Sequence, residues 1–426
     1  MYVYVISKSG KPLMPTKKLG KVRHLLKDGR AKVVQRTPFT IQLTYDSKEF
    51  TQNVTLGVDA GSKTIGLSAT TDEDEIYASN VILRNDIVKL LSDRRALRTS
   101  RRNRKRRYRP ARFDNRVKSK KKGWLAPSVQ NKINTHINVI RDILKILPIT
   151  KIIIEIAQFD IQKIKNPDIS GTEYQQGEQL DFWNVREYVL WRDNHECQHC
   201  HGKSKDPVLN VHHIESRRTG GNSPSNLITL CETCHIAHHK GKIKLNIKRG
   251  SSYRDATFMN IIRKAVVEEV KKVFSNTYVT YGYITKNVRI NNDLPKEHFV
   301  DARCISGNPK TRPLGYYILQ KKVRCHNRQI HKLTICKGGK RKLNQSPKYV
   351  YGYQLFDEVK LPDGRRGFIF GRRTSGYFDV RKLNGEKLSD CINHKKLIEK
   401  TKRRNILREV VVFPLPAKAG SFHTTF

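Results

Sequence analysis

The stretch 197–239 holds the densest set of metal-binding side chains in this chain. It contains two Cys-x-x-Cys pairs, formed by Cys197, Cys200, Cys231 and Cys234. Two pairs with this spacing predict a tetrahedral four-thiolate zinc site, and closed sites of this kind are structural. The alternative is four buried thiols without metal. A segment this small buries too little apolar surface to fold without such a clamp, which favours zinc.

Histidines in the same stretch could form a second, open metal site. His235 and His239 are one helical turn apart, so they share a helix face, and His212 could complete the set. His213 would point away from its neighbour on a strand, where it could take a proton from water while the metal holds a phosphate oxygen. Asn226 could orient this base. The stretch therefore predicts hydrolysis of a phosphodiester.

A zinc ribbon that only binds nucleic acid is the alternative interpretation of these histidines. His199 and His201 show that histidines without an assigned role occur here. The choice of metal ligands among His235, His238 and His239 also stays open. A nuclease is favoured because the set supplies both an activated water and a charge at the phosphate.

Carboxylates outside this stretch could form a further metal site. Asp59 ends a predicted strand, Glu155 lies within an apolar strand, and His298 and Asp301 are one helical turn apart. A carboxylate in an apolar strand is costly to bury unless it is paired or metal-bound. Three converging carboxylates could hold two Mg²⁺ ions for in-line cleavage. The plainer alternatives are a turn residue, a sheet-edge carboxylate and a surface pair, and the segment at Asp59 also suits the phosphate loop of an actin-like ATPase.

The charge of the chain favours nucleic acid as the partner. It has 84 Lys and Arg against 38 Asp and Glu, a formal net charge of +46. Such an excess opposes a compact fold unless a polyanion is bound, and phosphate contacts release counterions. A membrane is the competing polyanion, but the chain lacks a long apolar run and a signal-peptide core. We therefore expect a soluble intracellular protein with no membrane partner.

A predicted helix at 86–109 carries much of this charge. Its basic residues are Arg94, Arg95, Arg98, Arg101, Arg102, Arg104, Lys105, Arg106, Arg107 and Arg109. A helix that is basic on every face cannot bury a face in an apolar core. A solvated linker or a disordered tail is the alternative. The position of the helix inside the chain favours bound RNA or DNA.

Local patterns predict the elements that must position these residues. The first 50 residues indicate a strand at 3–6, a turn at Pro12-Leu13-Met14-Pro15, a helix at 19–27, and a hairpin from 31–34 and 39–44. An antiparallel meander follows at 54–58, 64–69 and 76–83. Further helices are expected at 129–147, 182–193, 254–274 and 295–305, with strands at 151–157 and 277–281. Short strands and glycine turns beyond 307 indicate a small β-rich domain.

The histidine and cysteine pattern resembles the HNH (ββα-metal) nucleases. The matching residues are His212-His213, Asn226, His235 and His239, and the cysteines match the zinc-stapled branch of that family. Many members have Asp where this chain has His212, which is also a competent ligand. Asp59, Glu155 and the pair His298 and Asp301 resemble a RuvC (RNase H-fold) nuclease that is split into three segments, with the HNH-like block between the second and the third.

This interrupted order resembles the type II CRISPR effector nucleases and, by size and start, the IscB family of transposon-associated RNA-guided nucleases. Pro12-Leu13-Met14-Pro15 is similar to the hallmark of the IscB N-terminal domain, and the arginine-rich helix is similar to the bridge helix of that family. The resemblance covers residues 1 to 306. The remainder fits the family by position alone.

The resemblance implies an α/β multidomain fold, in which an RNase H-like mixed sheet contains an inserted HNH domain and is followed by a small β-rich domain. The implied divisions are an N-terminal domain 1–52, RuvC-like segments 53–85, 123–165 and 245–306, a bridge helix with its tether 86–122, a linker 166–185, the HNH domain 186–244, and a domain 307–426 that contacts a target-adjacent motif and RNA.

It also implies a function. A monomeric protein would bind a structured guide RNA and cleave both strands of a matching double-stranded DNA, the HNH site cutting the guide-paired strand and the RuvC-like site the displaced strand. Asp59, Glu155 and Asp301 would hold two Mg²⁺ ions, with His298 a ligand or a base. His212, His235 and His239 would hold one more. The rival hypotheses are a protein-only HNH homing or restriction enzyme, a zinc-stapled RNA chaperone and an actin-like ATPase.

Overall fold

The computed structural model describes residues 1–102, 124–156, 179, 181–215, 222–247, 254–324 and 347–413. The chain divides into two compact units. The first comprises 1–87, 101–157 and 261–426, and the second comprises 88–100 and 158–260.

The described helices are α1 (Leu19–Lys27), α2 (Ile87–Arg102), α3 (Pro127–Leu144), α4 (Val185–Arg192), α5 (Glu232–His239), α6 (Arg254–Val273), α7 (Gly282–Asn291) and α8 (His298–Ile305). The strands are β1 (Val3–Ile6), β2 (Pro12–Thr16), β3 (Ala31–Gln35), β4 (Thr40–Leu43), β5 (Thr55–Ala60), β6 (Thr64–Thr70), β7 (Glu75–Ile82), β8 (Lys151–Ile156), β9 (Leu209–His213), β10 (Leu227–Cys231), β11 (Thr277–Tyr281), β12 (Tyr316–Lys322), β13 (Glu358–Lys360), β14 (Arg366–Arg372), β15 (Tyr377–Arg381), β16 (Lys387–Asn393), β17 (Glu399–Thr401) and β18 (Ile406–Val412).

The first four strands form a sheet in the order β2-β1-β4-β3. The predicted turn at Pro12-Leu13-Met14-Pro15 is wrong, because these residues form most of β2. Strand β2 pairs with β1 alone and lies at the sheet edge, where a proline that lacks an N–H group removes no ladder bond. Leu13 is buried in the small core under this sheet, so the segment is a packed strand and not a loop.

The central element of the first unit is a seven-stranded mixed sheet in the order β11-β8-β5-β6-β7-β12-β18. Strands β5, β6 and β7 form the predicted antiparallel meander. Strand β8 pairs parallel to β5, and β11 pairs parallel to β8. The inner strands carry fully buried apolar residues, such as Leu56, Ile152 and Ile154, as expected for strands in the middle of a sheet. The mixed α/β multidomain fold predicted from the sequence is confirmed.

The C-terminal part of the chain contributes to two sheets. Strands β12 and β18 pair with each other and extend the seven-stranded sheet beyond β7. Strands β13 to β17 form a separate five-stranded antiparallel sheet around a core that includes Val359, Ile369, Phe378 and Val380. The β-rich character expected beyond 307 is therefore present, and part of it completes the central sheet.

Two predicted helices differ in extent. Helix α8 begins at His298 and not at Pro295, which lies in the preceding loop. Helix α7, between β11 and α8, was not predicted because its exposed face carries apolar side chains that obscure the helical period. Of the predicted 86–109 helix, residues 87–102 form α2 and the remainder lies outside the described residues.

Strands β9 and β10 of the second unit pair antiparallel and are followed by α5, which is a ββα arrangement. Helix α4 packs Tyr188 and Val189 against Leu227 at the start of β10. Among the described residues, every helix is too short or too polar to cross a membrane.

Helix α8 lies directly on the central sheet because two glycines in the strands make room for its backbone. A Cβ atom at Gly57 of β5 would lie 1.9 Å from the carbonyl oxygen of Ala302. A Cβ atom at Gly66 of β6 would lie 2.0 Å from the carbonyl oxygen of His298. Both contacts involve helix backbone, which cannot rotate away as a side chain can. Any larger residue at either position must displace α8.

We expect Gly57→Ala to destabilise the protein by about 3 kcal/mol, near the upper end of the usual cost of overpacking. The matched control is Gly20→Ala in α1, where a Cβ atom meets nothing within 4 Å. The control should leave stability unchanged or raise it by roughly 0.5–1 kcal/mol. Denaturant unfolding of the full-length variants measures both effects, and equal midpoints for the two variants would contradict the packing argument.

Candidate metal centres

The acidic site begins with two carboxylates on neighbouring parallel strands. Asp59 on β5 and Glu155 on β8 are direct partners in the strand register. Because both are the fifth residue of a six-residue strand, they project together near the carboxyl ends of the strands. The sequence predicted that both residues belong to one site, and the structure brings them together.

Helix α8 brings the other two predicted residues to this edge. The Nδ1 atom of His298 lies 2.6 Å from Oδ2 of Asp59. Nε of Arg289, on α7, lies 2.9 Å from Oδ1 of Asp301. That ion pair is not aligned as a hydrogen bond, since Oδ1 of Asp301 is a buried atom without a hydrogen-bond partner in the described structure.

The electrostatics of the acidic site also favour a cation. Burial, followed by the charges of Asp59 and Asp301, raises the pKa of Glu155 to about 7. Burial and the charge of Asp59 raise the pKa of Asp301. The hydrogen bond with Asp59 raises the pKa of His298. Crowded carboxylates repel one another, and a divalent cation relieves that repulsion. Oxygen donors of this kind suit Mg²⁺.

The histidine site is the tighter cluster. Ring nitrogens of His212, His235 and His239 all lie within 4.8 Å of one another. His212 comes from β9, and the other two come from successive turns of α5. The Nε2 atoms of His235 and His239 are 3.2 Å apart, a separation at which one ion can bind both. The three ligands that the sequence predicted are therefore adjacent.

His238 is close to the cluster but is differently held. Its ring centroid lies 4.9 Å from that of His212, while its Nδ1 atom lies 3.3 Å from the carbonyl oxygen of Ile243. An N–H at Nδ1 donates to this carbonyl.

Burial, followed by the charges of the neighbouring histidines, lowers the pKa of His212 to about 4. That ring is therefore neutral at physiological pH, as a metal ligand must be.

The expected base, His213, follows His212 on β9 and is only partly buried. Its Nε2 atom lies 3.1 Å from Oδ1 of Asn222. Asn226 is fully buried and bonds the backbone of Glu215 in both directions, at 2.9 and 3.0 Å. Asn226 therefore fixes the chain just beyond the base, while Asn222 contacts the base itself. Asn222 was not predicted from the sequence, because its only local signal is its place in the turn before β10.

The four cysteine sulfurs form the third cluster, and all lie within 4.8 Å of one another. Sγ of Cys200 and Sγ of Cys231 are 3.8 Å apart. A tetrahedral zinc ion with bonds of about 2.3 Å separates its sulfurs by about 3.8 Å. Ser204 Oγ lies 3.3 and 3.1 Å from these two sulfurs. Hydrogen bonding from Ser204 lowers the pKa of Cys200 to about 6, which favours the thiolate that zinc requires.

Only part of the arginine-rich segment can be placed. Helix α2 contains Arg94 and Arg95, whose side chains are described. The side chains of Arg98, Arg101 and Arg102, and all of Arg104, Lys105, Arg106, Arg107 and Arg109, lie outside the described residues. The nucleic-acid contact assigned to this segment stays a prediction.

Two protein-family models match separate parts of this chain. Residues 3–177 match the RRXRR protein family, and residues 197–241 match the HNH endonuclease family. The first match spans Asp59 and Glu155. The second spans all four clustered cysteines together with His212, His235 and His239. These two matches support the resemblance to nucleases that the sequence predicted. The sequence-based prediction of a metal-dependent endonuclease with an HNH domain is confirmed.

Individual relatives match this chain over different lengths. Anaredoxin of Nostoc sp. strain PCC 7120 is 33% identical over 58 residues, which are 13% of this chain and 74% of anaredoxin. Streptococcus thermophilus Cas9 in complex with an AGGA PAM is 14% identical, with a TM-score of 0.33 over 56% of this chain. Type II-C Cas9 from Actinomyces naeslundii is 10% identical, with a TM-score of 0.24 over 60% of this chain and 59% of that chain. The chain spans 33% of the length of the Streptococcus thermophilus protein.

We expect Cys200→Ser to remove zinc from the full-length protein and to unfold the second unit, because this unit has a small core of its own. The matched control is Cys391→Ser, which changes an exposed thiol outside the cluster. Zinc released by acid from each purified variant measures the effect. Equal zinc content in the two variants would show that the four cysteines do not form the site.

Binding of Mn²⁺, as a probe for Mg²⁺, should weaken at the acidic site by roughly 10-fold from pH 8 to pH 6. Glu155, with its pKa of about 7, is ionised at the higher pH and carries a proton at the lower one, and a cation must displace that proton. Calorimetric titration of the full-length protein tests this. Glu155→Gln should remove this pH-dependent component, and Glu409→Gln, a carboxyl group elsewhere whose pKa burial also raises, should keep it. The same pH profile in Glu155→Gln would contradict the assignment.

Proposed function

We propose that this chain is an RNA-guided DNA endonuclease that cleaves both strands of a matching target. One observation carries the proposal: each compact unit contains its own cluster of candidate metal ligands, acidic in the first and histidine-based in the second. Two independent centres in one chain fit an enzyme that makes two cuts. A protein that only bound nucleic acid would need neither cluster.

In the acidic centre, Asp59, Glu155 and Asp301 would hold two Mg²⁺ ions. Bound Mg²⁺ supplies charge neutralisation at the phosphate and an activated water. The contribution of this chain is to hold three carboxylates from separate elements at one sheet edge. His298 donates its Nδ1–H to Asp59, so its Nε2 atom is the nitrogen that can hold or accept a proton. Its side chain is 48% exposed, which leaves it accessible to a substrate.

In the histidine centre, His212, His235 and His239 would hold one divalent metal ion of a kind that imidazole suits, and His213 would be the general base. The amide oxygen of Asn222 accepts a hydrogen bond from Nε2–H of His213, so Nδ1 is the basic nitrogen. Asn226 keeps the backbone beyond His213 in place through Glu215. General-base catalysis by a positioned histidine contributes about 10²–10⁴-fold to a rate.

The net charge of +46 supports a nucleic acid as a lasting component of the protein and not only as its substrate. The arginine-rich segment at 94–109 would contact this RNA. A guide RNA then selects the target by base pairing, while the protein holds the duplex by its backbone. The assignment of the histidine centre to the guide-paired strand and of the acidic centre to the displaced strand follows from the resemblance to IscB proteins.

We expect Asp59→Ala to leave a nick in the guide-paired strand and His213→Ala to leave a nick in the displaced strand. Each variant should lose its own cut by at least about 100-fold, because each change removes a ligand or a base from one centre. Cleavage of a target with the two strands labelled differently, by protein purified with its own RNA, measures both cuts.

His24→Ala serves as the control, since this exposed histidine lies in α1, outside both centres. Loss of both cuts from either single change would contradict two independent centres. The RNA itself is tested separately, by sequencing what co-purifies and by removing it with ribonuclease. Specific cleavage by RNA-free protein would overturn RNA guidance and favour a protein-only HNH endonuclease.

A further inference from the structure

Two exposed tyrosines lie at the junction of β11 and α7. The rings of Tyr281 and Tyr283 are parallel to within 15°, with centroids 6.1 Å apart. Their residues are 47% and 67% exposed, and the neighbouring Ile284 is 40% exposed. Large apolar side chains that remain in water and lie side by side indicate a surface that is covered during function.

Their position relates them to the acidic centre. Gly282, the residue between them, lies against Glu155, such that a Cβ atom at 282 would be 3.1 Å from Oε1 of Glu155. The tyrosine Cα atoms lie within about 3.8 Å of the Gly282 Cα atom. The two rings therefore begin one residue on either side of the point where the backbone contacts the candidate metal ligand. A nucleotide whose phosphate lies at the carboxylates has its base within reach of these rings.

We propose that Tyr281 and Tyr283 form a stacking platform for the bases of single-stranded DNA whose phosphodiester lies at the acidic centre. This proposal rests on the proposed function, because it assigns a substrate to that centre. Aromatic rings stack on any base, which gives affinity without sequence selectivity. Duplex DNA does not fit the platform, since its bases already stack on one another and offer only their edges.

Charges near the platform favour a nucleic acid over an apolar partner. Lys286 is exposed and lies three residues beyond Tyr283, on the same side of α7. Aromatic rings with a neighbouring lysine are the kind of surface that binds a single strand, in which bases stack and the backbone pairs with the cation. An apolar protein partner would leave this cation without a counterion.

The platform would position the strand and would not take part in bond cleavage. Stacking fixes the distance between a base and the scissile phosphate, and thus the position of the cut. Loss of the rings should therefore raise KM by roughly 10-fold, the usual scale of stacking on one or two rings, with little change in kcat. The cut should also spread over neighbouring phosphodiesters.

Photocrosslinking tests the contact without requiring cleavage. The full-length protein, in buffer without divalent cations, is irradiated with a thymidine oligonucleotide that contains 5-iododeoxyuridine, which forms adducts with a stacked aromatic ring. We expect mass spectrometry to find the adduct on the peptide that holds Tyr281 and Tyr283. The adduct should persist in the double variant Tyr281→Phe, Tyr283→Phe, which keeps the rings, and disappear in the double variant Tyr281→Leu, Tyr283→Leu.

Tyr349→Leu is the matched control, because it removes a tyrosine of similar exposure, 49%, outside the acidic centre. It should leave the adduct unchanged. Adducts confined to other peptides, or equal adducts in the Leu double variant, overturn the proposal, and an adduct with an iodouridine RNA but not with DNA overturns the choice of DNA. The adduct could form at these tyrosines in a protein that makes no cut in the displaced strand. That result would support the platform and contradict the proposed function.

Discussion

The close approach of α8 to strands β5 and β6 is the constraint on which the acidic centre depends. Gly57 and Gly66 allow backbone to lie on backbone, with no side chain between helix and sheet at these points. That contact places His298 and Asp301 beside Asp59, although more than 230 residues separate them along the chain. Two glycines therefore determine where the acidic centre forms. They allow the strands and the helix that carry its candidate ligands to lie close together.

The pKa values of the candidate ligands shift in opposite directions at the two centres: they rise at the acidic centre and fall at His212. At the acidic centre, burial and like charges raise the pKa values of Glu155 and Asp301. The ionised carboxylates repel one another, and a bound cation would relieve this repulsion. At the histidine centre, burial and the charges of the neighbouring histidines lower the pKa of His212, so this ligand is neutral at physiological pH. Carboxylate oxygens suit Mg²⁺, Ca²⁺ and Mn²⁺, whereas imidazole nitrogens suit zinc, copper, iron and nickel. The two centres should therefore prefer different metals.

The parts of these sites that could be predicted from the sequence are those that depend on the spacing of neighbouring residues along the chain. The two cysteine pairs and the helical interval from His235 to His239 define their own geometry, and the alternation at β5 to β7 defines the meander. Pairing over long distances is not encoded locally, so strands β12 and β18 could not be assigned to the central sheet. The same holds for Asn222 and Arg289, because each is an ordinary loop or helix residue until the fold brings it to His213 or Asp301.

The cysteine cluster also explains how so small a unit can hold a second metal site in place. Cys231, Ile228 and Leu230 lie in one apolar cluster with Cys197 and Cys234, so the predicted zinc ion would lie within the core of the unit. Helix α5 begins directly after Cys231 and carries Cys234 one position before His235. An ion held by the cysteines would therefore fix the start of the helix that presents His235 and His239. In this arrangement a structural metal would take the place of a larger apolar core and would set the ligand geometry of the candidate catalytic site.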